Sequence, residues 1–367
     1  MTLRSRFATR LQRSWAQRDW LAIALYAVSL LYRAAAAVRR WLYARGIFKS
    51  EKIRVPVVIV GNVVAGGAGK TPVVMEIVRR LQAQGWQPGV VSRGYGRTPL
   101  PQGANDSGFV QVTVATPAAQ AGDEPALIHR ATGAPVWVGR DRARAAQLLL
   151  AAHPSVNVII SDDGLQHLAL QRDIEICVFD QRNVGNGWLL PAGPLREPWP
   201  RSSRHGEPWP RSSRHGEPSV DFVLHTTHIP PTSHKLQGVV CHRITRQLAP
   251  YALRSDGSRV PLAELQSQSN EKPLFALAAI AQPEVFFSML RDAGLTLAHT
   301  EALPDHYNFD SYISNKYMDY TLICTEKDAV KLWQHVPDAL AIPLQVDLPQ
   351  EFFSALLKKL SLPVKPR

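Results

Sequence analysis

The stretch "VAGGAGKTP", Val64 to Pro72, constrains this chain more than any other feature in it. It follows the β-branched run "VPVVIVGN" and precedes "TPVVMEIVRRLQAQG", whose apolar residues recur at helical spacing. Strand, glycine loop and helix in that order form a phosphate cradle, because successive backbone N–H groups and a helix N-terminus converge on an anion. Gly66, Gly67 and Gly69, with Ala68 between them, give the loop its backbone freedom; Lys70 is spaced to reach β- and γ-phosphates and the Thr71 hydroxyl to bind Mg²⁺. Residues Gly66 to Thr71 are therefore expected to bind ATP, with Mg²⁺ as the metal. Pro72 falls in the first helical turn, where a missing N–H is harmless. Val64 departs from the strict pattern G-x-x-x-x-G-K-[ST] and moves the loop toward the variant with two glycines before x-G-K-T. Many such ATPases carry a lysine before the double glycine, for pairing across a dimer; here that position is Ala65.

A chain of 367 residues has room for roughly two domains. Beyond the loop, "PGVVSRGYG", "PVWVG" with the helical "DRARAAQLLLAAH", "VNVIISDDG" and "DIEICVFD" alternate strand with helix or loop. That alternation predicts an α/β fold with a parallel sheet. A second series, from "VDFVLH" through "KPLFALAAI", "PEVFFSMLRDAG" and "TLICTEKDAVKL", predicts a smaller C-terminal α/β domain. The expected units are 55–190 for the phosphate-loop domain, 191–219 for a loop and 220–367 for the second domain. Within the loop, "EPWPRSSRHG" occurs twice in succession, Glu197 to Gly206 and Glu207 to Gly216. Two Pro- and Ser-rich copies are too few for a solenoid, so a surface insertion is expected.

Residues 1–54 hold twelve Arg or Lys against Asp19 and Glu51, so +10 of the total charge of +12 lies there. The charges flank the apolar run Trp20 to Val38, which only Arg33 interrupts. A secretory signal has such a charged start and such small residues as Ala34 to Ala37, but a nucleotide loop downstream needs cytoplasmic ATP. A spanning helix needs about 20 apolar residues, which this run barely reaches. A helix lying on or dipping into an anionic leaflet fits better, with aromatic residues at headgroup level and arginines near lipid phosphate. A buried core helix is the alternative. The apolar stretch among the arginines favours membrane over nucleic acid, so no nucleic-acid partner is expected. Cys177, Cys241 and Cys324 have neither disulfide nor zinc spacing.

A phosphate loop needs a carboxylate at the end of a neighbouring strand, and "IISDDGLQH" supplies Asp162 and Asp163 there, with Gln166 and His167 close behind. Adjacent residues leaving a strand point to different sides, so the two aspartates are expected to divide their work. A polar turn would also explain them. In "AGDEP", Asp123 and Glu124 form a second acidic pair, costly beside bound phosphate unless a metal or proton compensates it. His306 of "PDHYNF" is a structural histidine unless it has a partner.

Together these stretches resemble the tetraacyldisaccharide 4′-kinases, the lipid A 4′-kinases of Gram-negative bacteria. The motifs that carry the resemblance run in family order from Val55 to Leu332 and include "RGYGR", "AGDEP", "VGRDR", "SDDGLQH", "LLPAGPLREP", "DHYNF" and "TEKDAVKL". The resemblance implies an ATP- and Mg²⁺-dependent lipid kinase, with Lys70 and Thr71 on nucleotide and metal, and Glu124 with Asp162 or Asp163 near the metal. It makes Asp123 the catalytic base, supported by His306, and places Tyr95, Arg142, Gln166, His167, Arg196 and Glu197 around the active site. The implied partners are an acylated disaccharide lipid and an anionic membrane surface, at the cytoplasmic face of the inner membrane in peripheral or monotopic association. No obligate protein partner is evident. Ala278 and Ala279 stand where the family pattern has glycines. The rival reading is a membrane-bound ATPase switch that binds a partner without phosphorylating lipid; a GTP switch would need N-K-x-D, which "TEKD" does not match.

Overall fold

The computed structural model describes residues 10–98, 108–199, 220–226, 239–269, 271–309 and 317–361. Beyond Trp199 the duplicated segment lies outside these residues, as do the first nine residues of the leader.

The first sheet has eight strands in the order β3-β4-β2-β5-β1-β6-β7-β8. They are β1 (Val57–Gly61), β2 (Pro88–Ser92), β3 (Val110–Val112), β4 (Val136–Val138), β5 (Val158–Asp162), β6 (Ile174–Phe179), β7 (Phe222–His225) and β8 (Val240–Arg243). All neighbours pair in parallel except β3, which runs antiparallel to β4 at the edge. Apolar residues at successive positions of the central strands reflect burial on both faces. Val58, Val60, Ile174 and Ile176 face one core with Val73, Ile77 and Leu81 of the Lys70–Ala83 helix. Val57, Ile59, Ile159 and Cys177 face the other with Ala146 and Leu149 of the Arg142–Ala152 helix. The loops after β1, β2, β5 and β6 therefore meet at one sheet edge, where ligands of such folds bind.

The second sheet runs β11-β10-β15-β14-β12-β13. Its strands are β10 (Tyr251–Leu253), β11 (Arg259–Pro261), β12 (Leu274–Ala278), β13 (Leu297–Ala302), β14 (Thr321–Thr325) and β15 (Leu340–Ile342). Between the two sheets, β9 (Thr245–Leu248) pairs antiparallel with β16 (Leu344–Asp347) as a separate ribbon.

The expected boundary at residue 220 differs from this topology. Phe222 of β7 pairs with Ile176 of β6 and with Val240 of β8, so "VDFVLH" extends the first sheet. At the other end, the Gln350–Leu360 helix returns to the same sheet, where the Phe352 and Phe222 rings meet at 5.1 Å. Periodicity identifies a doubly buried strand but does not say which sheet receives it.

The leader forms the Trp20–Ala44 helix, whose N-terminus is capped by Asp19 accepting from the Ala22 N–H. Only Ala22 and Ser29 are buried, which sets aside the alternative of a core helix. Its outer face presents Trp20, Ile23, Leu31 and Val38, and it is long and apolar enough to cross a membrane. The inner face docks by side chain to backbone: Ser29 Oγ donates to the Leu189 carbonyl at 2.7 Å and the Tyr32 hydroxyl to the Arg196 carbonyl at 2.8 Å.

Candidate active site

Gly66 and Gly69 have φ of 91° and 70°, in the left-handed region, and Gly69 caps the Lys70–Ala83 helix. Val64 is buried and bridges antiparallel to Leu195, and the Ala65 N–H donates to the Pro194 carbonyl at 2.8 Å. The missing first glycine is thus a position where the loop is laced to the "PAGPLREP" segment. Two arginines outside the sequence motifs also lie against the loop, Arg182 bonding to it. Arg182 donates to the Ala65 carbonyl at 3.3 Å and the Gly67 carbonyl at 2.6 Å, and is itself held by Asp180 at 2.6 Å. Arg246, from β9, places Nη1 2.9 Å from where a Cβ on Gly69 would stand.

The two aspartates after β5 part company. Asp163, at φ 49°, accepts from Arg196 Nη1 at 3.1 and 3.0 Å and lies 3.4 Å from Lys70 Nζ. Burial alone would raise its pKa, but Lys70 and Arg196 outweigh it and lower the pKa to about 2. Asp162 is buried; the Ser92 hydroxyl reaches Oδ2 at 3.5 Å, and Oδ1 has no hydrogen-bond partner among the described residues. Burial, then the nearby Glu124 charge, pushes Asp162 up to about 7.

An orphaned carboxylate oxygen beside Glu124, at the strand end next to the phosphate loop, fits a hard cation. Among the described residues no three His, Cys, Asp or Glu side chains cluster into a complete cage. Mg²⁺ does not need one, since it keeps waters and takes one or two carboxylates plus phosphate oxygens. Thr71 and Asp162, with Glu124 near, are the residues that fit it; Asp163 is committed to its cations.

Asp123 opens the Asp123–Thr132 helix, and from the second domain His306 Nδ1 comes to 2.9 Å of its Oδ2. Lys331 Nζ reaches the same oxygen at 3.0 Å. Burial works to raise Asp123, but the His306 hydrogen bond and Lys331 more than offset it, so the carboxyl lies below its ordinary range. His306 adopts φ 61°, uncommon for a residue with a side chain, and its ring lies 5.6 Å from that of exposed Tyr95.

The remaining expected residues form the wall between loop and leader helix. Gln166 Nε2 donates to Glu197 Oε1 at 2.6 Å and to the Asn62 carbonyl at 3.0 Å. Arg142 is buried and donates to the Asp163 carbonyl at 2.9 Å, which orients that turn. Burial lowers Arg142 to about 10. His167 accepts from the Arg142 N–H at 3.3 Å, and burial with the Arg142 charge lowers it to about 4, keeping Nε2 free to accept.

One cleft of about 1040 Å³ takes in the phosphate loop, Tyr95, Glu124, Asp163, Arg196, Arg246 and His306, with Tyr32 and Arg39 of the leader at its margin. Arg182 and Arg246 carry no motif signature of their own. Lys331 stands in "TEKDAVKL", four residues and so about one helical turn after Lys327, which lines the cleft.

Residues 21–361 match the family model described as tetraacyldisaccharide-1-P 4′-kinase. The chain is 50% identical over 357 residues to the tetraacyldisaccharide 4′-kinase of Acidovorax sp. (strain JS42), covering 97% of this chain and 96% of that one. It is 51% identical over 346 residues to that of Verminephrobacter eiseniae (strain EF01-2), covering 93% and 73%. Among solved structures, LpxK from Aquifex aeolicus in complex with ATP superposes with a TM-score of 0.74 at 26% identity, covering 93% of this chain and 99% of that one.

Proposed function

The chain belongs to the tetraacyldisaccharide-1-P 4′-kinase family, and from that membership we propose how its own residues move the γ-phosphoryl group of ATP to the 4′-hydroxyl of a tetraacylated glucosamine disaccharide 1-phosphate. It is a lipid kinase of lipid A synthesis. The observation that carries the residue assignment is the Asp123–His306 hydrogen bond of 2.9 Å, made between domains beside the phosphate loop.

The loop N–H groups from Gly66 to Thr71 bind the polyphosphate, and Lys70 Nζ, 3.4 Å from both Asn62 Oδ1 and Asp163 Oδ1, is aimed where charge spreads in the transition state. Thr71 and Asp162, with Glu124 near, are the residues that would hold Mg²⁺, and the ion would supply positive charge to offset that of the phosphates. Asp123 accepts or orients the proton of the 4′-hydroxyl while the hydroxyl oxygen bonds to phosphorus. The bond from phosphorus to the bridging oxygen breaks, and ADP leaves with that electron pair. His306 fixes the carboxylate. Gln166, His167, Arg142, Arg196, Glu197 and Tyr95 shape the acceptor side.

The acceptor is a lipid, so the cleft must open at a membrane. The Trp20–Ala44 helix has its apolar face outward and its Tyr32 and Arg39 on the cleft margin. That arrangement supports a monotopic or peripheral seat on the anionic cytoplasmic face of the inner membrane, with the sugar entering beside the helix. The experiment compares ADP formation from ATP and Mg²⁺ with and without the disaccharide lipid, together with mass analysis of the lipid. Lipid-dependent turnover with one added phosphate is expected. Equal ADP formation without lipid, and unmodified lipid, would favour the ATPase switch.

A further inference from the structure

We propose that Lys331 is a positioning residue for the transfer: it pins Oδ2 of Asp123 and leaves Oδ1 to meet the acceptor hydroxyl. This rests on the assignment of Asp123 as the group that receives the hydroxyl proton.

Lys331 projects from the Glu326–Leu332 helix of the second domain, and that helix is firmly based. Thr325 caps it by accepting from the Asp328 N–H at 3.2 Å, and Asp328 in turn accepts from Thr325 Oγ1 at 2.6 Å and from the Ala279 N–H at 3.0 Å. The ammonium therefore approaches Asp123 from a fixed platform. Its side chain is 14% exposed and lies 5.8 Å over the Phe309 ring, so it has given up most of its water. Two hydrogen bonds replace that water: Asp123 Oδ2 at 3.0 Å and the Tyr307 carbonyl at 2.7 Å.

Both contacts bear on the reacting pair. His306 and Lys331 meet Asp123 on one oxygen, Oδ2, and neither touches Oδ1. A carboxylate gripped twice on one oxygen cannot rotate to exchange the two, so the free oxygen has a fixed direction. The second contact holds the residue after His306, whose left-handed φ of 61° must be maintained by its neighbours. One ammonium thus constrains both partners of the pair across the domain junction. Displacing a reacting group by about 1 Å costs on the order of 10²-fold in rate, so loss of this grip belongs in the turnover number.

The test measures steady-state kinetics with ATP and disaccharide lipid, and ADP affinity by calorimetry, for Lys331→Met, Lys331→Gln, Lys331→Arg, Asp123→Ala and Lys331→Met/Asp123→Ala. The expected result is a fall in kcat of about 10- to 100-fold for Met and Gln. ADP affinity and the KM for ATP should stay within about twofold, since Lys331 is not part of the phosphate loop. Lys331→Arg, which keeps charge and donors, should recover a large share of kcat. The double variant should be no slower than Asp123→Ala, as for groups acting through one another. Lys331→Met or Lys331→Gln above half the wild-type kcat overturns the proposal. So does a multiplicative loss in the double variant, or Lys331→Arg as impaired as Lys331→Met. If Met does not fold, Gln, which can still donate to the Tyr307 carbonyl, decides on the same criteria; a folding failure of both assigns Lys331 to stability and overturns the proposal. Should Asp123→Ala itself stay active, the base assignment has failed, whereas an inactive Asp123→Ala beside an active Lys331→Met sinks only the role of Lys331.

Discussion

Arg196 holds both carboxylate oxygens of Asp163, at 3.1 and 3.0 Å, while the preceding residue, Asp162, keeps a buried oxygen with no partner among the described residues. The two are adjacent in sequence and opposite in circumstance: one is neutralised by protein cations, the other is poised for an added one. Asp162→Asn and Asp163→Asn should therefore fail differently. Asp162→Asn is expected to raise the Mg²⁺ concentration for half-maximal activity by about tenfold or more. Asp163→Asn should lower kcat with little change in that concentration, because it releases Lys70 and Arg196. Mg²⁺ titrations of initial rate separate the two, and identical titration curves would refute the division.

Glycine substitutions at the two ends of the Lys70–Ala83 helix should follow local space and φ. At Gly69, a Cβ would sit 2.9 Å from Arg246 Nη1 on a backbone at φ 70°, so Gly69→Ala must disturb both the helix cap and the arginine. At Gly85 the φ is 82° but nothing lies within 4 Å, so Gly85→Ala carries only the backbone penalty, about 1 kcal/mol. Gly69→Ala is expected to weaken ADP binding by more than about tenfold, and Gly85→Ala to leave it unchanged while lowering Tm by a few degrees. Calorimetric ADP titration and a melting scan on each variant check the contrast.

His167 gives the fold a defined acid sensitivity. Its folded value of about 4 lies below the ordinary 6.5 because of burial and the Arg142 charge. Between those values the unfolded chain takes a proton that the folded chain refuses, so stability is full above pH 6.5 and declines as the pH falls toward 4. His167→Gln keeps an acceptor for the Arg142 N–H and removes the titration. The variant should lose less Tm than the wild type between pH 7 and pH 5, by about 2–4 °C. His225, also lowered to about 4 by burial, contributes the same slope to both proteins and cancels.

The motif residues were legible because their chemistry fixes both residue type and local order. "GGAGKT" between strand and helix sets the loop, and "SDDGLQH" after a strand sets two aspartates at the same edge. What the sequence left open was decided by tertiary placement. Nothing in "IISDD" says which aspartate is paired, since that depends on Arg196 arriving from a distant loop. Nothing in "VDFVLH" says which sheet it joins, because both sheets accept a buried strand. Arg182 and Arg246 act through long reaches across loops and have no periodic or spacing signal to mark them, and Lys331, though inside "TEKDAVKL", shows its role only through its reach to Asp123 across the domains.

The leader helix should bind membranes through its outward apolar residues rather than through the loop it covers. Trp20, Leu31 and Val38 are 68%, 72% and 56% exposed, while Ser29 and Tyr32 hold the body of the protein. A Leu31→Glu/Val38→Glu variant should leave Tm unchanged within about 1 °C, as exposed positions tolerate substitution. It should lose most of its sedimentation with anionic vesicles at high salt, where arginine attraction is screened. Deleting residues 1–50 is a poorer experiment, since it also removes the hydrogen bonds to Leu189 and Arg196. Undiminished sedimentation of the double glutamate variant would place the anchor elsewhere.

His306 and Asp123 are 183 positions apart and meet only because the second domain closes on the first. If they act as one unit, removing the imidazole should impair the chemical step more than nucleotide binding, because His306 Nδ1 bonds to Asp123 and not to the loop. His306→Ala is expected to lower kcat by about 10²-fold and to leave ADP affinity within twofold. Asp123→Ala should fall at least as far. Members of one catalytic unit are non-additive, so the double variant should be little slower than the slower single one. Rates that multiply, or a His306→Ala enzyme with unchanged turnover, would mean that the left-handed turn at His306 only shapes the cleft. Asp123 would then have to work with Lys331 as its partner among the described residues of the second domain, and the loss in Lys331→Met should exceed that in His306→Ala.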